Sequence, residues 1–263
     1  MLTIGTSSAV LRNKKLYEII DFLALKGYDT VEIWIGQYFD SGLSPNELKD
    51  YLKRAGIGYR IHADMRDVNI TSANRGIREE SLRQIFRTIE IASEIKAPVV
   101  TVHPGKMSSS KDIPDEFWDI QLDVFSQIAE YSKRYEVVVG VENMENRPKE
   151  FIIDLPDIER LIKSINSSSL GLTLDLAHYY GVGNLLGFVE KLDVPIVNVH
   201  ISQATPEKMH LPLSSDIPGI INYVPVLRSL KDKYNGPLII EGYVRGSEIE
   251  TVTSNYQWLK IRI

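Results

Sequence analysis

Short apolar runs alternate with longer amphipathic stretches from one end of the 263-residue chain to the other. Eight such pairs follow one another, and this alternation constrains the fold more than any other feature. Strands that alternate with helices imply a parallel sheet, and continuous apolar runs imply strands buried on both faces. Eight strand–helix units in roughly 250 residues have the size expected of a closed barrel. The sequence therefore predicts an α/β fold, a single (β/α)8 TIM barrel.

The predicted strands are short, and each precedes an amphipathic stretch. In chain order they read MLTIGTS, DTVEIWI, GIGYRIH, PVVTVH, VVVGVE, LGLTLD, PIVNVH and PLIIE. The alternative fold is an open, doubly wound sheet, but no glycine-rich phosphate fingerprint follows the first strand. No low-complexity tract or linker divides the chain, so we expect one domain over residues 1–263.

Composition and charge narrow the classes of function. The chain is 43% hydrophobic with a net charge of −5, so a large core is available and no broad basic surface for nucleic acid is expected. There is no cysteine, which excludes a disulfide scaffold and leaves histidines and carboxylates as metal ligands. The N-terminal stretch lacks signal-peptide features, and no run of about 18 apolar residues could span a membrane. We expect a cytoplasmic protein without a membrane partner.

Six consecutive predicted strands end in a side chain that can bind a metal. These residues are His62, His103, Glu142, Asp175, His200 and Glu241. In a barrel the C-terminal strand ends meet on one face, where active sites lie. A single such residue is more often a solvated strand end, but six together would be costly to desolvate without a cation. The pattern predicts a divalent metal site, and a histidine–carboxylate set fits Zn, Mn, Co, Mg or Fe.

The sequence allows two roles for each of several further residues. His178 follows Asp175 by three positions and can lie at the rim of the same mouth, whereas His210 falls in a long loop and is either solvated or part of the site. Asn143 either holds a ligand in place or caps a turn. Glu32 either faces the barrel mouth or pairs with a lysine outside.

Four short motifs carry a resemblance to a known superfamily. They are VEN at 141–143, DLAH at 175–178, VHIS at 199–202 and IIEGY at 239–243. Over nearly the whole chain these segments resemble the xylose isomerase-like TIM barrels. That superfamily includes sugar isomerases and epimerases, inositol-processing enzymes and the repair nuclease endonuclease IV. The motifs are specific for the superfamily and weak indicators of the substrate.

The resemblance to the epimerase-like members implies one divalent metal, Zn or Mn first and Mg or Co as alternatives. Its ligands would be Glu142, Asp175, His200 and Glu241, and the two glutamates would also form the acid/base pair. The metal would polarise a carbonyl and its neighbouring hydroxyl while the carboxylates move a proton. The implied substrate is a small polyhydroxy carbonyl compound. The remaining histidines would contact that substrate or a second metal.

The resemblance to endonuclease IV implies a different activity, a zinc phosphodiesterase acting on abasic DNA. The five histidines of this chain would then match the zinc histidines of that enzyme. They are His62, His103, His178, His200 and His210. The chain departs from the pattern at Lys208, where the nuclease has an aspartate, and at Asp64 and Met65, which replace Pro-Tyr. Nucleic acid is a predicted partner only under this alternative.

Two further classes fit the same barrel, because one fold hosts many chemistries. One is a non-catalytic binder of sugars or metabolites, and the other is a metal-dependent dehydratase or aldolase. Exposed barrel helices often pair, so a homo-oligomer is compatible with the sequence.

Overall fold

The computed structural model describes residues 1–263. Its strands are β1 (Thr3–Ser7), β2 (Thr30–Trp34), β3 (Gly58–His62), β4 (Val99–Val102), β5 (Val138–Glu142), β6 (Leu170–Asp175), β7 (Ile196–Ile201), β8 (Gln203–Thr205), β9 (Lys208–Leu211) and β10 (Pro237–Ile240). Its α-helices are α1 (Leu16–Lys26), α2 (Ile35–Ser41), α3 (Pro45–Ala55), α4 (Arg75–Ile95), α5 (Trp118–Arg134), α6 (Leu155–Ile165), α7 (Leu185–Lys191), α8 (Tyr223–Leu230) and α9 (Glu248–Lys260).

Eight parallel strands form a closed barrel in the order β1-β10-β7-β6-β5-β4-β3-β2. Closure is direct, because β1 pairs in parallel with both β10 and β2. The predicted (β/α)8 TIM barrel is therefore confirmed, and the open doubly wound sheet is wrong. The eight barrel strands are those that the apolar runs predict. The remaining two, β8 and β9, form a separate antiparallel hairpin.

Helix α3 shows how local sequence sets the helix ends. The Ser44 hydroxyl accepts a hydrogen bond from the Glu47 amide, and the Glu47 carboxylate accepts one from the Ser44 amide. This capping box, with Pro45 at the first helical position, satisfies amides that the helix itself leaves free. Gly56 ends the helix at a φ of 68°, a left-handed conformation that a glycine adopts without strain.

The core lies mainly between the barrel and the surrounding helices, in one cluster of 61 buried apolar residues. The barrel interior is different, because polar side chains from opposite strands meet there. Thr101, Thr173, Asn198 and Glu32 are all completely buried, and Thr101 Oγ1 lies 3.1 Å from Thr173 Oγ1. A polar layer therefore lies inside the barrel.

No helix of this chain is both long and apolar enough to cross a membrane. The longest, α4, carries charged side chains along its exposed face, including the Arg75–Glu79 and Arg83–Glu80 ion pairs.

Candidate metal centre

Four of the strand-end residues converge at the C-terminal mouth of the barrel. We call Glu142, Asp175, His200 and Glu241 the inner cluster, because their ligand atoms all lie within 4.8 Å of one another. Glu142 and Asp175 are the last residues of β5 and β6. His200 lies near the end of β7, and Glu241 directly follows β10. Their positions are therefore set by the sheet rather than by loops.

Asp175 has one carboxylate oxygen without a hydrogen-bond partner. Oδ1 accepts hydrogen bonds from the amides of Ala177 and His178, at 2.7 and 3.0 Å, whereas the buried Oδ2 has none. Asn143 holds the backbone of Asp175 on both sides, since its amide nitrogen donates to the Asp175 carbonyl and its oxygen accepts from the Asp175 amide. Asn143 thus positions a predicted ligand, and one buried carboxylate oxygen of that ligand has no hydrogen-bond partner.

Glu142 is shared between the inner cluster and a second group. Its Oε1 lies 3.2 Å from His200 Nδ1, while its Oε2 lies 3.3 Å from His62 Nε2 and 3.1 Å from His103 Nε2. We call His62, His103 and Glu142 the side cluster. One carboxylate therefore belongs to both groups and could bridge two cations.

A third group lies further out and is built differently. Glu145, His178 and His210 form the outer cluster, again with ligand atoms within 4.8 Å of one another. His178 Nε2 lies 3.5 Å from His210 Nε2 and 3.8 Å from a Glu145 oxygen. His210 belongs to the hairpin strand β9 and not to an irregular loop, and its backbone φ is +54°.

Hydrogen bonds to the backbone orient two of the histidines toward these clusters. His62 Nδ1 lies 2.7 Å from the Ala63 carbonyl, and His178 Nδ1 lies 2.8 Å from the Asn143 carbonyl. A carbonyl only accepts, so each neutral ring carries its proton on Nδ1 and presents the Nε2 lone pair to the site. This is the form in which imidazole binds a metal.

A cavity of about 320 Å³ opens onto the mouth. Glu142 and Glu241 line it, together with the histidines of the side and outer clusters, whereas Asp175 and His200 do not reach it. Glu241 is the most exposed member of the inner cluster, with 15% of its side chain accessible against 2% for Glu142. A molecule in this cavity would meet the two glutamates, while the aspartate and the histidine lie behind them.

The electrostatics of the two glutamates differ. Burial raises the pKa of Glu241 to about 7, because the attraction of His200 offsets only part of the desolvation. Burial also acts against ionised Glu142, but the charges of His200 and His103 hold the pKa of Glu142 well below its usual range. Two neighbouring carboxyl groups with separated pKa values are a typical acid/base arrangement.

The pKa values of the histidines also shift in opposite directions. Burial disfavours the charged ring of His62, yet Glu142 and Glu32 raise its pKa to about 9. Burial likewise disfavours charged His200, but Glu241, Glu32 and Glu142 raise its pKa well above the usual value. For His210, burial and the neighbouring His178 both act against the proton and lower the pKa to about 4.

The structure brings all eight predicted site residues together, although their roles as ligands or acid/base groups stay predictions. Three further residues line the same cavity and were not predicted from the sequence, namely Glu145, Arg12 and Tyr243. Glu145 adds a carboxylate to the outer cluster. Lys208, one position at which the resemblance to endonuclease IV fails, is exposed. The one available signal for Glu145 was its spacing, three positions after Glu142.

These residues fit a divalent cation. The donor set is carboxylate and imidazole without thiolate, which suits the first-row divalent ions and magnesium. The unpartnered Oδ2 of Asp175 and the facing nitrogens of His178 and His210 are atoms that a cation would satisfy.

Comparisons with known proteins agree with this architecture. A family model described as a xylose isomerase-like TIM barrel matches residues 20–262. An uncharacterized protein of Methanocaldococcus jannaschii is 31% identical over 247 residues, which cover 90% of this chain and 82% of that protein. A probable endonuclease 4 of Mycobacterium ulcerans is 27% identical over 165 residues, 61% of this chain and 62% of that protein.

A solved structure is also similar over almost the full length. The crystal structure of a D-tagatose 3-epimerase-like protein superposes with a TM-score of 0.86 and 28% sequence identity. The match covers 98% of this chain and 97% of the other.

Proposed function

The chain belongs to the xylose isomerase-like TIM barrel family, and from this premise we propose that it is a divalent-metal-dependent sugar isomerase or epimerase. The substrate would be a small polyhydroxy carbonyl compound. The observation that carries the proposal is the division of the inner cluster, in which only Glu142 and Glu241 reach the cavity. The similarity to a D-tagatose 3-epimerase-like protein supports the same class of reaction.

Glu142, Asp175, His200 and Glu241 would hold the ion. When bound, a divalent cation supplies Lewis-acid polarisation of a carbonyl oxygen. Asp175 and His200, which lie behind the glutamates, would serve as ligands alone.

The two glutamates would move the proton. Glu142, ionised at neutral pH, can accept the proton from the carbon next to the carbonyl. Glu241, the other glutamate that reaches the cavity, can return a proton to the neighbouring carbon or the opposite face. Protonation of the former carbonyl carbon, with the hydroxyl proton passing between the two oxygens, gives an isomer, whereas protonation of the original carbon on its opposite face gives an epimer.

The experiment that tests this function is solvent exchange. Aldoses, ketoses and their phosphates are incubated in D2O with the protein and with Mn, Zn, Co or Mg in turn. Deuterium should appear at a carbon next to the carbonyl of at least one sugar, and a chelator should stop the exchange. Absence of exchange with every sugar and every metal would contradict an isomerase or epimerase.

A second candidate is a zinc phosphodiesterase acting on abasic DNA. The observation that favours it is the presence of three metal-capable clusters around one cavity, since several ions suit phosphodiester hydrolysis better than one. The similarity to a probable endonuclease 4 supports it as well. Zinc-loaded protein should then nick duplex DNA at a single abasic site, and no nicking at high protein concentration would eliminate this candidate.

A further inference from the structure

We propose that Glu32, inside the barrel, is a positioning residue that fixes the ring of His200 so that its Nδ1 faces the metal. The inference rests on the proposed metal site. It concerns a residue that lies on β2, far along the chain from every predicted ligand of the inner cluster.

Glu32 is a fully buried carboxylate without a lysine or arginine partner. Its side chain has no accessible surface, and its one ion-pair contact is His200. A buried carboxylate is costly unless hydrogen bonds or an opposite charge compensate it. The compensation must therefore come from the polar layer of the barrel interior.

The two oxygens of Glu32 have different surroundings. Oε2 accepts hydrogen bonds from Asn198 Nδ2 at 2.5 Å and from Thr101 Oγ1 at 3.2 Å. Oε1 lies 2.9 Å from His200 Nε2, an ion-pair contact, and has no hydrogen-bond partner. The charge of this buried oxygen is therefore compensated by its close contact with the His200 ring rather than by a hydrogen bond.

The two ring nitrogens of His200 contact different groups. Nε2 lies 2.9 Å from Glu32 Oε1 and 3.2 Å from Asn198 Nδ2, while Nδ1 lies 3.2 Å from a Glu142 oxygen and 3.5 Å from a Glu241 oxygen. If Nε2 keeps its proton for Glu32, the neutral ring carries its lone pair on Nδ1, which points into the inner cluster. A carboxylate on the far nitrogen also makes imidazole a better metal ligand.

The test is zinc binding by the intact protein, measured by competition with a chromophoric chelator. Changing Glu32→Gln keeps the size of the side chain but removes its charge. We expect zinc to bind about 10- to 100-fold more weakly, the range typical of groups that orient a metal-bound histidine. The matched control is Thr173→Val, which alters the same buried layer at a residue that bonds to Thr101 and not to Glu32. Its zinc affinity should stay near the wild-type value.

A second measurement does not depend on a variant that folds. In the zinc-loaded wild-type protein, nitrogen-15 NMR of His200 should show the proton on Nε2. A proton on Nδ1, or a folded Glu32→Gln protein that binds zinc as tightly as wild type, would overturn the role of Glu32. Wild-type protein that binds no zinc would instead overturn the proposed metal site.

Discussion

The inner and outer clusters contain similar side chains but are built from different parts of the chain. The inner cluster stands on strand ends that are fixed by pairing on both sides, and three of its four residues are almost completely buried. The outer cluster takes Glu145 and His178 from segments that follow strands and His210 from a two-stranded hairpin. We expect the barrel to preorganise the inner cluster for one ion, whereas the outer cluster should bind a cation more weakly or contact substrate.

The sharpest way to break this comparison is to remove one carboxylate from each cluster. Glu241→Gln should lower the rate of deuterium exchange by about 10²- to 10⁴-fold, the usual contribution of a general acid or base. Glu145→Gln should lower it by less than about tenfold, because this residue holds no proton in the proposed reaction. Exchange rates measured by NMR with the preferred sugar decide the matter. Equal losses would place the outer cluster in the chemistry.

Metal affinity compares the clusters as binding sites. Asp175→Ala should weaken the tightest zinc equivalent by at least about 100-fold, since it removes a direct ligand rather than a supporting group. His210→Ala should leave that equivalent nearly unchanged. Competition titrations on both proteins provide the measurement. A large loss in the His210 variant would mean that the tightest ion belongs to the outer cluster.

The pH dependence of zinc binding separates the clusters further. In the inner cluster, His200 has a raised pKa and Glu241 has a pKa of about 7, so both hold protons that must leave before their atoms can bind a metal. Affinity at the tight site should therefore rise from pH 6 toward pH 9, by about tenfold per pH unit for each proton released. His210, with a pKa of about 4, releases no proton over this range. A flat profile, after correction for protonation of the chelator, would show that a different group dominates.

The smallest expected effect is a change in stability alone, and it serves as a control for the measurements at the clusters. Ser44→Ala removes the cap of α3 and should cost about 1 kcal/mol of unfolding free energy, measured by urea denaturation. Neither cluster contacts this helix end, so zinc affinity and exchange rate should stay at their wild-type values. If they fall, then global stability alone affects the site, and the comparison between clusters must be corrected for it.

The inner cluster could be predicted from sequence because strand ends of a closed barrel meet whatever the loops do. Polar residues at those ends, such as Asp175 after an apolar run, were sufficient. Glu145 could not be predicted because it lies in the irregular segment between β5 and α6, where no periodicity indicates the direction of a side chain. Glu32 stayed ambiguous for another reason. Both faces of β2 are buried, so the pattern around Val31 and Ile33 could not show which of them faces the barrel axis.

The pairing of the first strand with the last has a consequence for the order in which this protein matures. Thr6 on β1 donates a hydrogen bond to the carbonyl of Ile240 on β10, a contact that spans 234 positions in the chain. Glu241 follows that strand directly, so the last predicted ligand of the inner cluster arrives with the contact that closes the ring. Before β10 pairs with β1, the chain carries the earlier predicted ligands but no complete inner cluster. Metal capture at the proposed centre should consequently follow barrel closure and report a finished barrel.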